Sequence, residues 1–281
     1  MRYYMTKNSV FYIKIKLLRQ RMSIPEELQR EAWDDIKEYK DNYKKVIKER
    51  EESRLPFHHE SPQFSYRPHL VDYLKKICIE KKLSHCCLHL AVYILDIFMD
   101  NHSIIPEKIL LVTNVCLLLA AKFEENSMTI PKIAELNRAI NNRYQIIDYK
   151  ALEIVMLKFF SWYIMYPTTA HYVYYYIQTA ITEEDVRDKG IGMRSVFYNL
   201  HTFVGEYLDQ IIENIHYMQC YPPSKLAAGI IAVSRLDIGL SCWTEQLENI
   251  TDYKREEIET QIFVLRTKYP FINCPKCKIP N

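Results

Sequence analysis

The residues whose types and spacing could support catalysis lie in two short segments. Residues 59–63, His-Glu-Ser-Pro-Gln, begin like the HExxH motif of zinc proteases. However, Gln63 stands where the second histidine ligand is required, and Pro62 would break the helix that aligns the two ligands. Residues 190–192, Gly-Ile-Gly, lack the third glycine of a dinucleotide-binding loop, because position 195 is Ser. The sequence also has no nucleophile elbow and no P-loop, so it predicts no catalytic residues and no cofactor.

The eight cysteines could bind a metal, and one pair has the required spacing. Cys274 and Cys277 are separated as in a zinc knuckle, but a tetrahedral site needs four ligands and no second pair lies at a suitable distance. We therefore predict two free thiols in a short tail and no metal, with a thiol or zinc enzyme as an alternative. The other six cysteines lie in helical patterns, where cysteine packs as a small apolar residue: Cys78, Cys86, Cys87, Cys116, Cys220 and Cys242.

Charge and composition narrow the class of partner. The chain has 37 Lys and Arg against 35 Asp and Glu, a net charge of +2, which is far from the basic excess of a nucleic-acid binder. The aromatic-rich stretch 159–182 contains no Lys or Arg, so its tyrosines are expected to pack in a core rather than to stack on bases. Neither of the longest uncharged runs, 109–121 and 159–182, is a convincing membrane span. These observations favour a protein partner over nucleic acid, a membrane or a small-molecule substrate.

The elements that would position any site are helices. With only 5 Gly in 281 residues, the chain is poor in the tight turns of βαβ folds, which predicts an all-α protein. Apolar residues recur at helical spacing from Leu88 to Met99, so this helix should bury one face, with Ser84 as its cap. Residues 109–121 are apolar almost all round, which predicts a helix surrounded by others. A further one-sided helix over 152–160 should be brought to a close by Pro167.

The pattern of the first half recurs in the second. Residues 88–96 are echoed by 200–209, and residues around 121–122 by 229–235, at an offset of about 112 residues that indicates a duplicated domain rather than a solenoid. We predict two tandem five-helix bundles over 62–166 and 167–269. They should be preceded by a basic segment and helix over 1–61, with the helix in Pro25 to Arg54, and followed by a tail over 270–281.

Several motifs resemble those of the cyclin box. Ala120–Glu125 is similar to the family's L-A-S-K-[FY]-E-E segment, and Tyr66–Leu74 and Leu88–Asp96 resemble its first and second helices. Ala151–Trp162 resembles the fifth helix, and Ile250–Tyr253 resembles the L-T-G-Y near the end of the second box. The resemblance covers about residues 62 to 267 and is stronger in the first box. It implies two tandem cyclin boxes, in agreement with the periodicity.

The resemblance also implies a kinase-binding site. In cyclins, the residues matching Lys122 and Glu153 project from adjacent helices and hydrogen-bond main-chain groups that flank the αC helix of the kinase. Taken singly, Lys122 could merely complement its helix dipole, and Glu153 could be a solvated helix residue. The other residues matching the family's kinase contacts are Leu119, Phe123, Glu125, Leu157, Trp162 and Ile164. Trp162 is the best candidate for a binding hot spot.

The resemblance implies a regulatory subunit that forms a heterodimer with a cyclin-dependent serine/threonine kinase, in the nucleus and cytoplasm. One site departs from the family, because in the groove that docks Arg-x-Leu peptides Lys76 replaces an acidic residue of the rim. Its matching positions are Tyr66, His69, Leu70, Tyr73 and Lys76. A lysine would repel the incoming arginine, so docking should be weak or absent. The alternative function is a transcription-factor-like cyclin fold that binds nucleic acid or transcription machinery.

Overall fold

The computed structural model describes residues 42–189 and 192–267, apart from the side chains of 188 and 189. The chain divides into two compact units, Met1–Ser53 and Arg54–Asn281. In the first unit, residues 42–52 are helical, and this is the described part of the predicted N-terminal helix. The predicted basic segment over 1–23, the beginning of the predicted helix and the tail with Cys274 and Cys277 lie outside the described residues. Both predicted bundles lie in the second unit.

The first bundle contains five helices, as predicted. They are α1 (Arg67–Lys81), α2 (His85–Asn101), α3 (Ile109–Glu124), α4 (Ile133–Ala139) and α5 (Ile146–Phe159), with short 3₁₀ turns at Pro62–Tyr66 and Pro106–Lys108. Ser84 caps α2 by accepting the Cys87 N–H on its hydroxyl, which satisfies one of the free amides of the first turn. The apolar helix α3 lies at the centre of this bundle, packed against α1, α2 and α5.

The second bundle repeats this plan with two short additions. Its helices are α6 (Thr169–Tyr176), α7 (Glu183–Lys189), α8 (Met193–Glu213), α9 (Ile215–Cys220), α10 (Pro223–Asp237), α11 (Glu245–Thr251) and α12 (Glu259–Thr267). Helix α10 is buried nearly all round and packs against α6, α8 and α12. At Gly229 the helices approach so closely that an added Cβ would lie 2.5 Å from Cβ of Gln261 on α12. Only glycine fits there without displacing a neighbour.

The positions of the echoed segments confirm the duplication. The first pair lies in α2 and α8, and the second in α3 and α10, the central helices of the two bundles. The repeat is one of fold rather than of side-chain use. Lys122 at the end of α3 is partly exposed, whereas Arg235, its counterpart in α10, is fully buried and makes a bidentate pair with Asp185 at 2.9 Å for both bonds.

Helix α2 corrects the expectation of a one-sided helix, because every residue from Cys86 to Met99 is buried. The second bundle supplies the missing cover, since α6 and α8 both pack against α2. The buried Asp96 on this face is paired within the protein. Asp96 accepts two hydrogen bonds from Arg67, at 2.8 and 3.0 Å, and the same guanidinium donates to the carbonyl oxygen of Glu213 at 2.9 Å. This buried group joins α1, α2 and the second bundle.

One histidine in each bundle lies in a low-dielectric environment. The ring of the half-buried His201 on α8 packs against Phe197, with 4.4 Å between centroids. Burial lowers the pKa of His201 to about 4, because a low-dielectric environment disfavours the charged ring. His89 on α2 is fully buried and its pKa is lowered well below the usual value for the same reason. Both rings are therefore neutral at neutral pH.

Other expectations meet mixed outcomes. The packing role of the aromatic stretch is confirmed, because Tyr172, Tyr175 and Tyr176 are buried. Of the six cysteines assigned to packing, all but the half-buried Cys220 are buried. Helix α5 ends at Phe159, well before Pro167, so the expectation that this proline closes it is wrong. No helix in the described part of the chain is long and apolar enough to cross a membrane.

Candidate kinase-binding surface

Lys122 and Glu153 lie together on the surface of the first bundle. The Lys122 Nζ donates to Glu153 Oε1 at 2.5 Å, and the two side chains are 45% and 15% exposed. Lys122 belongs to the last turn of α3 and Glu153 to the middle of α5, and these helices pack against each other. The structure thus joins two residues 31 positions apart in one polar pair. A partly exposed pair of this kind keeps hydrogen-bonding capacity for a partner.

The apolar residues that match the family's kinase contacts differ in their exposure to solvent. Phe123, Leu157 and Ile164 are half-buried, and Trp162 is 63% exposed. Leu119 is only 3% exposed, so its side chain lies within the core and offers little surface to a partner. Phe123, Leu157, Trp162 and Ile164 are therefore accessible to a partner, whereas Leu119 is not.

Helix α5 adds apolar surface that the sequence analysis missed. In this helix only Tyr149 and Met156 are buried, while four large aliphatic residues are about half exposed or more: Ile146, Ile147, Ile154 and Val155. The sequence did contain an indication of this surface. Apolar residues occupy more than one face of the helix, and a single core can bury only one of them. A clustered apolar surface beside a polar pair is typical of a protein-interaction site.

The turn after α5 presents Trp162 in a costly backbone conformation. Ser161 and Trp162 both have left-handed φ angles, 51° and 62°, where non-glycine residues are disfavoured. The Trp162 N–H donates to the carbonyl oxygen of Leu157 at 2.7 Å, and this bond closes the end of the helix. A large exposed indole held in such a conformation points to a role in function rather than in folding.

Glu125 is engaged inside the first bundle. Its Oε1 accepts the backbone N–H of Ser84 at 2.8 Å, which ties the end of α3 to the beginning of α2. Its predicted contact with a kinase stays a prediction, and this hydrogen bond gives its carboxylate a structural use as well.

The residues of the predicted docking groove also separate. Tyr66, His69 and Lys76 are exposed on or beside α1, whereas Leu70 is buried in the core. Tyr73 is half-buried and donates its hydroxyl to Asn114 Oδ1 at 2.7 Å. Burial raises the pKa of Tyr73 to about 12. Lys76, which stands where the family has an acidic residue, is thus exposed, and the weak docking of arginine stays a prediction.

The described residues include the HExxH-like segment and one group of potential metal ligands. Residues 59–63 do not form the helix that an HExxH site requires, because Pro62–Tyr66 is a 3₁₀ turn in which the Gln63 amide donates to the Ile104 carbonyl oxygen at 3.2 Å. One group of three potential ligands occurs among the described residues: Cys86, Glu124 and His171, all buried. It was not anticipated from the sequence.

Comparison with known proteins agrees with the architecture. The chain matches the family model for the cyclin N-terminal domain over residues 37–165, and the model for the cyclin C-terminal domain over residues 167–267. In solved structures, the fold is similar to that of a viral cyclin from herpesvirus saimiri, with a TM-score of 0.61 and 14% identity over 80% of this chain and 95% of that one. It is also similar to a chain of the yeast RNA polymerase II CTD kinase complex, with a TM-score of 0.52 and 14% identity over 79% of this chain and 70% of that one.

Curated relatives point to one branch of the family. The chain is 32% identical to cyclin-J of Xenopus laevis over 72% of this chain and 55% of the relative, and 32% identical to human cyclin-J over 72% and 54%. It is 30% identical to a cyclin-J-like protein of Mus musculus over 80% and 60%. The matches thus span little more than half of the relatives' lengths. Residues 89–100 and 61–63 predict a likeness to cyclin J, and this is confirmed. The chain belongs to the cyclin family.

Proposed function

We propose that the chain is a regulatory subunit that binds and activates a cyclin-dependent serine/threonine kinase. The observation that carries this proposal is the Lys122–Glu153 pair, which lies at the seam of α3 and α5 beside exposed apolar residues of α5 and the exposed Trp162. Charged groups make stronger hydrogen bonds than neutral ones, so the pair can fix the register of a partner's main chain. The apolar residues around it would then supply the buried centre of the interface.

The mechanism is conformational. The surface would hold the kinase αC helix inward, so that its glutamate pairs with the β3 lysine that positions the ATP phosphates. The kinase supplies the catalytic groups and this chain none, so activation is a shift of the kinase population toward its active arrangement. This chain therefore acts by binding the active arrangement of the kinase more tightly than the inactive one.

The test uses the full chain with a panel of purified cyclin-dependent kinase catalytic subunits. Binding would be measured by biolayer interferometry, and activity by phosphorylation of a serine–proline peptide. We expect Lys122→Ala/Glu153→Ala to weaken binding by about 10- to 100-fold, since hydrogen bonds to charged groups contribute about 1.5–3 kcal/mol. Activation should fall in parallel.

The matched control is Lys75→Ala/Glu213→Ala. This double variant removes another ion pair, at 2.7 Å, that joins α1 to the end of α8 away from the seam. It should bind and activate like the wild type. The proposal fails if the chain stimulates no kinase of the panel, or if the Lys122/Glu153 variant retains full binding and activation.

A further inference from the structure

Two side chains in the last turn of α3, those of Lys122 and Glu124, contact different parts of the molecule. Lys122 points to Glu153 on the proposed kinase-binding surface. Glu124, whose side chain is 1% exposed, points the other way and meets Nε2 of His171 in the second bundle at 2.8 Å. A buried hydrogen bond therefore connects the kinase-facing end of α3 to α6.

The hydrogen bonds around His171 fix its tautomer. His171 occupies the first turn of α6, where its Nδ1 accepts the backbone N–H of Thr168 at 3.1 Å and lies 2.7 Å from the Thr168 hydroxyl. The hydroxyl can donate or accept but the backbone amide can only donate, so Nδ1 is the acceptor of a neutral ring and Nε2 carries the proton. That proton is donated to Glu124. One imidazole thus caps α6 and holds the end of α3.

The same tautomer explains the group of Cys86, Glu124 and His171 without a metal. A metal ion bound at Nε2 would need the lone pair that the proton occupies. Moving that proton to Nδ1 would free the lone pair, but the Thr168 amide would then lose its acceptor. The group is better described as a hydrogen-bonded junction between the two bundles.

The geometry points to His171 as a positioning residue, by which the second bundle fixes the kinase-facing end of α3 through Glu124. This inference rests on the proposed function of the Lys122–Glu153 surface. Without the Nε2–H donor, the Glu124 carboxylate loses a hydrogen-bond partner. Water cannot take its position, because the Glu124 side chain is buried. The last turn of α3 would then loosen, and Lys122, two residues away, would lose its fixed position opposite Glu153.

Two substitutions separate the two tasks of the ring. His171→Asn keeps an oxygen that can accept the Thr168 N–H but is too short to reach Glu124. His171→Gln keeps an N–H donor at about the reach of Nε2 but loses the cap acceptor. We expect His171→Asn to weaken binding of the kinase selected with the wild-type chain by about tenfold, a typical coupling factor. His171→Gln should remain within about twofold of the wild type, as should Lys75→Ala, which breaks a different contact between the bundles.

A measurement without any kinase completes the test. Amide hydrogen exchange of residues 121–125 in the free, full-length chain should accelerate about tenfold in His171→Asn and not in His171→Gln. Equal effects of the two variants on exchange, or faster exchange in His171→Gln, would overturn the positioning role. Wild-type binding by His171→Asn, while Lys122→Ala/Glu153→Ala fails to bind, would overturn it too and leave the proposed function standing. If that double variant also binds normally, the proposed function fails, and hydrogen exchange alone decides the positioning role.

Discussion

The left-handed turn after α5 allows the contribution of the Trp162 side chain to binding to be separated from that of the backbone to folding. Ser161 and Trp162 both have positive φ angles in this turn. Glycine has no Cβ and adopts this conformation freely, whereas another residue is strained there by about 1–2 kcal/mol. Replacing Trp162 by glycine relieves the strain but also raises the entropy of the unfolded chain, at a cost of about 0.5–1 kcal/mol. The indole is 63% exposed, so removing its buried part, about 90 Å², forfeits about 2 kcal/mol.

We therefore expect Trp162→Gly to lower the free energy of unfolding by about 0.5–2 kcal/mol, because the lost burial and the added chain entropy outweigh the relieved strain. Binding should respond at least as strongly. Truncation of a hot-spot residue costs about 2 kcal/mol or more, which corresponds to a loss of about 30-fold in affinity. The backbone hydrogen bond from position 162 to Leu157 survives in the variant, so the turn itself should persist.

The assay pairs urea denaturation, followed by far-UV circular dichroism, with kinase binding by biolayer interferometry. Ser161→Gly is the matched control, since it relieves strain in the same turn and leaves the indole in place. It should stabilise the chain by up to about 1 kcal/mol and bind within about twofold of the wild type. A loss of more than about 3 kcal/mol of stability in Trp162→Gly, or unchanged affinity, would refute the reasoning.

Three further predictions concern the core and the junction between the bundles. Arg67→Met should cost about 3–5 kcal/mol in urea denaturation, because it leaves the buried Asp96 carboxylate without its guanidinium, and adding Asp96→Leu should recover part of that loss. His201 has a lowered pKa of about 4 in the folded chain against about 6.5 unfolded. Stability should thus be independent of this ring above pH 6.5 and should fall by up to about 1.4 kcal/mol per pH unit between pH 6.5 and 4; an unchanged pH profile in His201→Phe would contradict this. Gly229→Ala should destabilise by about 1–3 kcal/mol, because the added Cβ meets α12. The control Gly205→Ala meets only ordinary contacts and should stabilise by about 0.5–1 kcal/mol; equal thermal midpoints for the two would argue against the close approach.

The local sequence pattern determined the helices of the first bundle. Ser84 caps α2 as expected, and the apolar run 109–121 forms the buried α3. These features depend on neighbours a few residues apart, because helical periodicity and capping are local properties. The end of α5 was misjudged because the turn at Ser161 and Trp162 is held by backbone hydrogen bonds and carries no glycine signal.

The resemblance to cyclins identified Lys122 and Glu153 as a pair, and spacing alone could not have done so. Nothing in the sequence between α3 and α5 dictates which of their faces meet. The core decides that, through the packing of α3 against its neighbours.

Only the tertiary structure showed which polar residues would be buried. Asp96 and His89 appear on the polar side of an amphipathic helix, and they are buried because the second bundle covers that side. Glu124 and His171 likewise meet across the two bundles. A sequence specifies the hydrophobic face of each helix, but a second domain packed on the opposite face creates contacts between residues far apart in the chain. Hydrophobic periodicity describes one helix at a time, so it cannot predict these contacts.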